Sequence, residues 1–345
     1  LHMLLNTSNW EEMRYLVQAL DTTLLDSQAD EILARTIEKT ARAGNTLLER
    51  VLICYQRILS LCREKSTDAI NNARQEIDTA ILEHWWAYQQ RVQHNYRAAL
   101  AHIDRALSLD PNDLDALIER AWVNRGLGRF DQALTDFDQV RRLRPSDYRS
   151  YQGRGVIEFE RGEMSSAIAS LTTAIQKHGK DAYSYQWRAA VHQAQNEREP
   201  ALADLDKATE LNPESGNHYY WRALLLLDDN KPGPAKEELS KAIRCDKRRE
   251  AQRSLSLDYF WRGIAQDLLH ENPGARADWE ETKKFINENP QDWSAPLYNA
   301  TVENDVESAM RQYEALIKRS YVPHQLAEQM RHLRLLARLY PKQTV

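Results

Sequence analysis

Residues Arg120 to Pro145 read RAWVNRGLGRFDQALTDFDQVRRLRP, and this stretch decides the fold. Ala133, Phe137 and Val140 are separated by steps of four and three, which puts them on one face of a helix. Ala121, twelve positions before Ala133, is a second small residue, on a preceding helix. Small residues let neighbouring helices approach closely, and the larger Phe137 fills the gap between them. Gly128 lies between the two helices, where a left-handed residue ends one and turns the chain back against it. Pro145 stops the second helix, because proline cannot continue it.

The pattern repeats. Ala99, Ala133, Ala167, Ala201 and Ala235 recur every 34 residues. Ile103, Phe137, Leu171, Leu205 and Leu239 follow four later, then Ala106, Val140, Ala174, Ala208 and Ala242 three after that. Ala87, Ala121, Gly155, Ala189 and Ala223 precede each anchor by twelve. The next anchor, Ala275, comes after 40 residues, so six are inserted around Arg248 to Ser254. Gly263 and Trp279 then restore the register, and Ala309 with Trp293 and Tyr313 continues it. Seven units result, starting near residues 80, 114, 148, 182, 216, 256 and 290, the last with Pro296 inside its first helix.

Punctuation keeps the same period. Gly128, Gly162, Asn196 and Asn230 occupy the mid-unit turn, with Asn304 in the last unit and His94 and His270 in the first and sixth. Asn and His tolerate the left-handed region better than most residues. Asp113, Asp147, Asp181 and Ser215 stand where an N-cap opens the next unit, as does Asn289 before Pro290. Pro111, Pro145 and Pro213 follow second helices.

With these signals in one register, residues 120–145 resemble the tetratricopeptide repeat motif, and the resemblance covers about residues 80–323. It implies an all-α, right-handed superhelical solenoid of about seven helix–turn–helix repeats with helical N- and C-terminal caps. It also implies a concave groove, lined by the first helix of each unit, that holds a protein or peptide. The positions that ligands touch in the family hold His84, Tyr88, Arg91, Trp122, Arg125, Arg149, Gln152, Tyr183, Gln186, Gln193, Asn217 and Tyr220 here. Aromatic and Arg side chains offer large contact area, and Gln and Asn offer directional hydrogen bonds. Chaperone-binding members share a Lys and Asn clamp, but His84, Tyr88 and Glu119 stand at its positions, so chaperone C-termini are not the expected ligand. Further on, groove positions turn apolar at Leu224, Leu227, Phe260, Ile264 and Leu268. Either a tighter superhelix or the C-terminal helix buries them, or they bind.

Outside the repeats, Leu1-His2-Met3 reads as a cloning remnant. Residues 4–79 read as a helical bundle or cap without the period. Ser8 and Glu11 form a capping box that opens a helix over Asn9–Leu20. Further helices are expected over Gln28–Ala43 and Thr46–Arg63, and another from Thr67 into the first repeat. Residues 324–340 carry Leu326, Met330, Leu333, Leu336 and Ala337 as the apolar face of a capping helix in the C-terminal segment 324–345.

Composition narrows the function. Hydrophobic residues make up 42% and charged residues 28%, which fits a folded soluble chain. A net charge of −5 argues against nucleic-acid binding, since phosphate affinity rests on excess Lys and Arg. Even the Arg-rich stretch 120–154 carries Asp131, Asp136, Asp138 and Asp147. Three cysteines, Cys54, Cys62 and Cys245, without close pairing suggest reduced thiols and a cytoplasmic setting. No apolar run reaches the roughly 20 residues of a membrane span. The sequons at Asn6 and Asn299 are chance matches in such a setting. No catalytic residue, metal site or cofactor is expected: there is no phosphate-cradling loop or nucleophile elbow, and Glu328 with His332 is one isolated helical pair.

A charged ladder runs along the repeats. Arg120, Arg154, Arg188, Arg222 and Arg262 each precede the small residue of a first helix. Sixteen residues later stand Asp136, Asp204, Glu238 and Asp278, while the third unit has Ser170 and the first has Trp86 and His102. Guanidinium–carboxylate bridges between helices are expected, with an Arg-lined anion groove as the alternative. The whole reads as a cytoplasmic scaffold or sensor for a protein or peptide, the repeat region of a larger signalling protein. A bacterial peptide-pheromone receptor and a nucleic-acid binder are the rival readings.

Overall fold

The computed structural model describes residues 27–42, 46–64, 79–249 and 252–288, together with 335, 338 and 339. These residues hold fourteen helices and no strand. The expected helix Asn9–Leu20, the start at Thr67, the seventh unit, the Glu328–His332 pair and most of the C-terminal helix lie outside the described residues.

The chain divides into two compact units, residues 1–145 and 146–345. The first holds α1 (Ser27–Arg42), α2 (Thr46–Glu64), α3 (Thr79–Val92), α4 (Tyr96–Leu109), α5 (Leu114–Gly126) and α6 (Phe130–Leu143). The second holds α7 (Tyr148–Glu160), α8 (Met164–Lys177), α9 (Ala182–Ala194), α10 (Arg198–Leu211), α11 (Gly216–Asp228), α12 (Pro232–Arg249), α13 (Gln252–Leu268) and α14 (Asn272–Glu288). From α3 onward the helices pair as antiparallel hairpins. Within each compact unit successive hairpins stack, α4 against α5, and α8 on α9, α10 on α11 and α12 on α13. In the first compact unit α2 packs against α3.

The turns follow from local backbone chemistry. Positive φ occurs at His94 (61°), Gly128 (72°), Gly162 (80°), Asn196 (62°), Asn230 (56°) and His270 (61°), one per hairpin. In each, the next amide reaches back five residues. Asn95 donates to the Gln90 carbonyl at 2.8 Å, and Arg129 to that of Asn124 at 2.8 Å. This double-bonded C-terminal motif satisfies carbonyls that a helix end leaves open. At the other end Asp113 accepts from the amides of Asp115 (2.9 Å) and Ala116 (3.1 Å), Asp147 from Arg149 (3.1 Å) and Asp181 from Ser184 (2.8 Å). Ser215 sits in the same place, but its side chain makes no capping bond.

The small-residue seam explains the close packing. A Cβ added at Gly155 would fall 2.7 Å from Leu171 Cγ, and one at Gly263 would fall 2.4 Å from Trp279 Nε1. Ala99, Ala133, Ala167, Ala201 and Ala235 are all buried. The six-residue insertion lengthens helices rather than loops. α12 has 18 residues against 14 in α10, and α13 has 17 against 13 in α11. Each thus gains about one turn of 3.6 residues, and the hairpin register survives.

Candidate functional site

The arginine ladder is a set of staples inside the scaffold. Arg120 donates to Asp136 through Nε (3.0 Å) and Nη2 (2.7 Å). Arg188 does the same with Asp204 (2.8 and 2.7 Å), and Arg262 with Asp278 (2.7 and 2.6 Å). The three carboxylates are buried. Hydrogen bonding to its carboxylate raises the pKa of each of these three guanidiniums.

Each of these arginines also reaches the second helix of the preceding hairpin. Nη1 of Arg120 meets Asp104 at 3.2 Å, that of Arg188 meets Thr172 at 3.0 Å and that of Arg262 meets Ser240 at 3.3 Å. One guanidinium therefore ties three helices. The backward acceptors keep the 34-residue period, so the signal was in the sequence, one register step behind the acid that drew attention.

Three hairpins depart from this geometry. Arg222 lies 3.7 Å from Glu238, too far for a hydrogen bond, and pairs instead with Asp206 at 3.0 Å. Glu238 takes Lys241 at 2.7 Å. Where Ser170 replaces the acid, the carboxylate moves onto the first helix: Arg154 donates to Glu158 at 2.8 Å, and Ser170 donates to the same carboxylate at 2.6 Å. The first hairpin reverses the bridge. Glu83 on α3 accepts from Arg105 (3.0 Å) and meets His102 (2.7 Å), both on α4. Burial opposes the Glu83 charge, yet these two partners bring its pKa below the usual value.

The first-helix face itself divides. In the first compact unit Tyr88 is 38% exposed and stacks on Trp85 with ring centroids 5.6 Å apart. Arg91 lies over the Tyr88 ring at 5.4 Å and donates to the buried Glu119 of α5 at 2.6 Å. One turn on from Glu119, Trp122 is half-buried against Phe137, with Arg125 over its ring at 5.5 Å. Together these residues make an aromatic strip with two cations held over it.

In the second compact unit Tyr183 is 40% exposed and meets Trp187 edge-on at 5.9 Å. Gln186 and Gln193 are half-buried on the same helix, and Asn217 is exposed at the start of α11.

Other expected contact residues are committed elsewhere. His84 is buried where Arg50 of α2 bears on it electrostatically, and burial lowers its pKa, against the pull of Glu119, Asp113 and Asp115. Gln152 is buried and donates to Asp181 and to Ser184 Oγ (3.0 Å), joining α7 to α9. Arg149 turns back on its own cap, Asp147, at 3.0 and 2.7 Å. Tyr220 is buried in a cluster with Leu224, Leu227, Phe260, Ile264 and Leu335. His84, Gln152 and Tyr220 thus belong to the interior, because segments distant in sequence cover them.

An all-helical array of stacked hairpins, stapled internally and carrying aromatic residues on its first helices, defines a repeat scaffold. Within it, residues 86–131 and 118–185 match the tetratricopeptide repeat family. Solved structures share the fold. A tetratricopeptide repeat protein from Parabacteroides merdae is 15% identical with a TM-score of 0.50, over 74% of this chain and 99% of that one. PilW, a type IV pilus biogenesis factor, is 17% identical at 0.50, over 61% and 93%. A thermophilic repeat protein of Thermus thermophilus is 20% identical at 0.46, over 57% and 99%. At these identities the likeness to the first two is one of fold alone. No curated protein matches the chain in sequence. Among the described residues no group of His, Cys, Asp and Glu could hold a metal, and no helix is long and apolar enough to cross a membrane.

Proposed function

We infer that this chain is a binding scaffold that holds a protein or peptide on the exposed aromatic residues of its first helices. The observation that carries the reading is the Trp85–Tyr88–Arg91 stack beside Trp122 and Arg125. Aromatic rings left at the surface, with guanidiniums fixed over them, bury large area on contact at small entropic cost. The Arg91–Glu119 bond pre-organises one cation of the strip. Tyr183, Gln186 and Gln193 offer the second compact unit a similar mixture of a ring and amide donors. Cys54 and Cys245 are buried cysteines, which fits a reducing compartment such as a cytoplasmic scaffold or signalling module would occupy.

A displayed-peptide library selected on the full chain tests this. Selected peptides are expected to lose at least about tenfold in affinity on Tyr88→Ala or Tyr183→Ala, about the loss of one interface hot spot, with unchanged thermal stability. Peptides indifferent to both substitutions would sink the assignment. The length of the selected ligands separates a folded partner from a short pheromone-like peptide.

A further inference from the structure

The first helices of the last two described hairpins present a different surface, and the chain itself covers it. Tyr220, Leu224 and Leu227 of α11 and Phe260 and Ile264 of α13 form one apolar cluster. Leu335, 8% exposed, is part of that cluster, and Leu339 packs against it. Between them Arg338 donates to the carboxylate of Asp228, and to its carbonyl at 3.3 Å, at the C-terminal end of α11. Leu335, Arg338 and Leu339 have helical backbone, and the spacing of three and four puts them on one helical face. The apolar set that the sequence offers for this segment, namely Leu326, Met330, Leu333, Leu336 and Ala337, lies outside the described residues.

We propose that the α11–α13 face is a helix-binding groove whose ligand is an amphipathic helix with leucines at i and i+4 and an arginine at i+3, and that Leu335, Arg338 and Leu339 occupy it in cis. The chemistry is that of a helix laid into an apolar groove, with leucine anchors and one charge setting the register. Arg338 fits the carbonyl end of α11, where a cation is favoured. Among the described residues the contact consists of one buried leucine, one half-buried leucine and an ion pair whose arginine is 59% exposed. Tethering raises the effective concentration of this contact, and a partner helix of the same pattern would compete with it for the groove. This groove is separate from the aromatic strip on α3 and α5, and neither assignment depends on the other.

The test uses the full chain with Leu335→Glu and Leu339→Glu together, and as probe a fluorescent synthetic peptide of residues 324–345. The double variant is expected to bind the peptide at least about tenfold more tightly than the unaltered chain, whose groove is already filled. A peptide carrying Leu335→Glu should not bind either. Equal binding by variant and unaltered chain, or no binding by a variant that keeps its helical signal, overturns the proposal. Should the double variant unfold, Arg338→Glu decides, since that side chain is exposed. Tighter binding of the peptide by about threefold supports the groove, and unchanged binding refutes it. Tyr88→Ala should alter none of these affinities, which keeps a failure here distinct from a failure of the aromatic strip.

Discussion

The first-helix faces of α3 and α11 occupy the same place in the repeat and do opposite things. On α3 the face is polar and aromatic, with Tyr88 exposed and Arg91 held by Glu119. On α11 it is apolar and covered, with Tyr220 and Leu224 buried beneath Leu335. The repeat fixes where a side chain stands, and the residue type there decides whether the position meets solvent or another segment. Each region also buries an ionisable group whose charged form burial disfavours. His84 on α3 has its pKa lowered by burial. Asp258 on α13 has its pKa raised well above 3.8 by burial and by the neighbouring carboxylate Asp246, with which it shares a hydrogen bond, despite the opposing charge of Arg262.

The largest way to sharpen this comparison is truncation on each face. Phe260→Ala should destabilise the chain by about 3–5 kcal/mol, as for a fully buried ring, whereas Tyr88→Ala should stay within about 0.5 kcal/mol. Denaturant midpoints check both, and a comparable loss at Tyr88 would erase the distinction.

Next come the staples. Asp204→Ala leaves Arg188 without its paired carboxylate and should cost about 2–4 kcal/mol, near the lower end for a broken buried pair since Arg188 is partly solvated. Glu238→Ala should cost less than about 1 kcal/mol, because Arg222 does not hydrogen-bond it. Equal costs would show that the 3.7 Å gap closes in solution.

The pH responses should run in opposite directions. Asp258 keeps its proton in the folded chain above pH 3.8, where the unfolded chain releases it. Its contribution to stability therefore falls as pH rises from there to the raised folded pKa. Asp258→Asn should raise Tm by about 2–4 °C at pH 8, a shift of the size that ~1 kcal/mol produces, and leave it unchanged near pH 4.

His84 gives the smallest expected effect. Its folded pKa lies below 6.5, so the unfolded chain binds the proton first as pH falls. Stability is level above that pH and declines below it, and His84→Gln should flatten the decline by about 1 °C or more. Melting curves across pH decide both cases, and a common direction for the two variants would break the contrast.

Much of the fold was legible because its causes are local. Left-handed backbone at His94, Asn196 and His270, caps at Asp113, Asp147 and Asp181, and close approach at Gly155 and Gly263 each depend on residues within one or two helices. The 34-residue period carried those local rules along the chain. The first-helix face was legible only in part. Tyr88, Arg91, Trp122 and Arg125 form a surface strip, but nothing near His84 announced that its side chain would be buried. The same holds for Tyr220, whose cover comes from Leu335. The missing acid opposite Arg154 was visible, while its replacement by Glu158 required the side-chain geometry.

By itself, then, the sequence determined the helical hairpin, its period, its turns and the placing of the six extra residues. Those are settled by backbone preference and by which residues share a helix face. Only the tertiary structure decided which positions stay open, which arginine finds which acid, and that Leu335 packs on the α11–α13 groove. These outcomes depend on segments far apart in the chain meeting at a surface, and neither periodicity nor local propensity encodes that encounter.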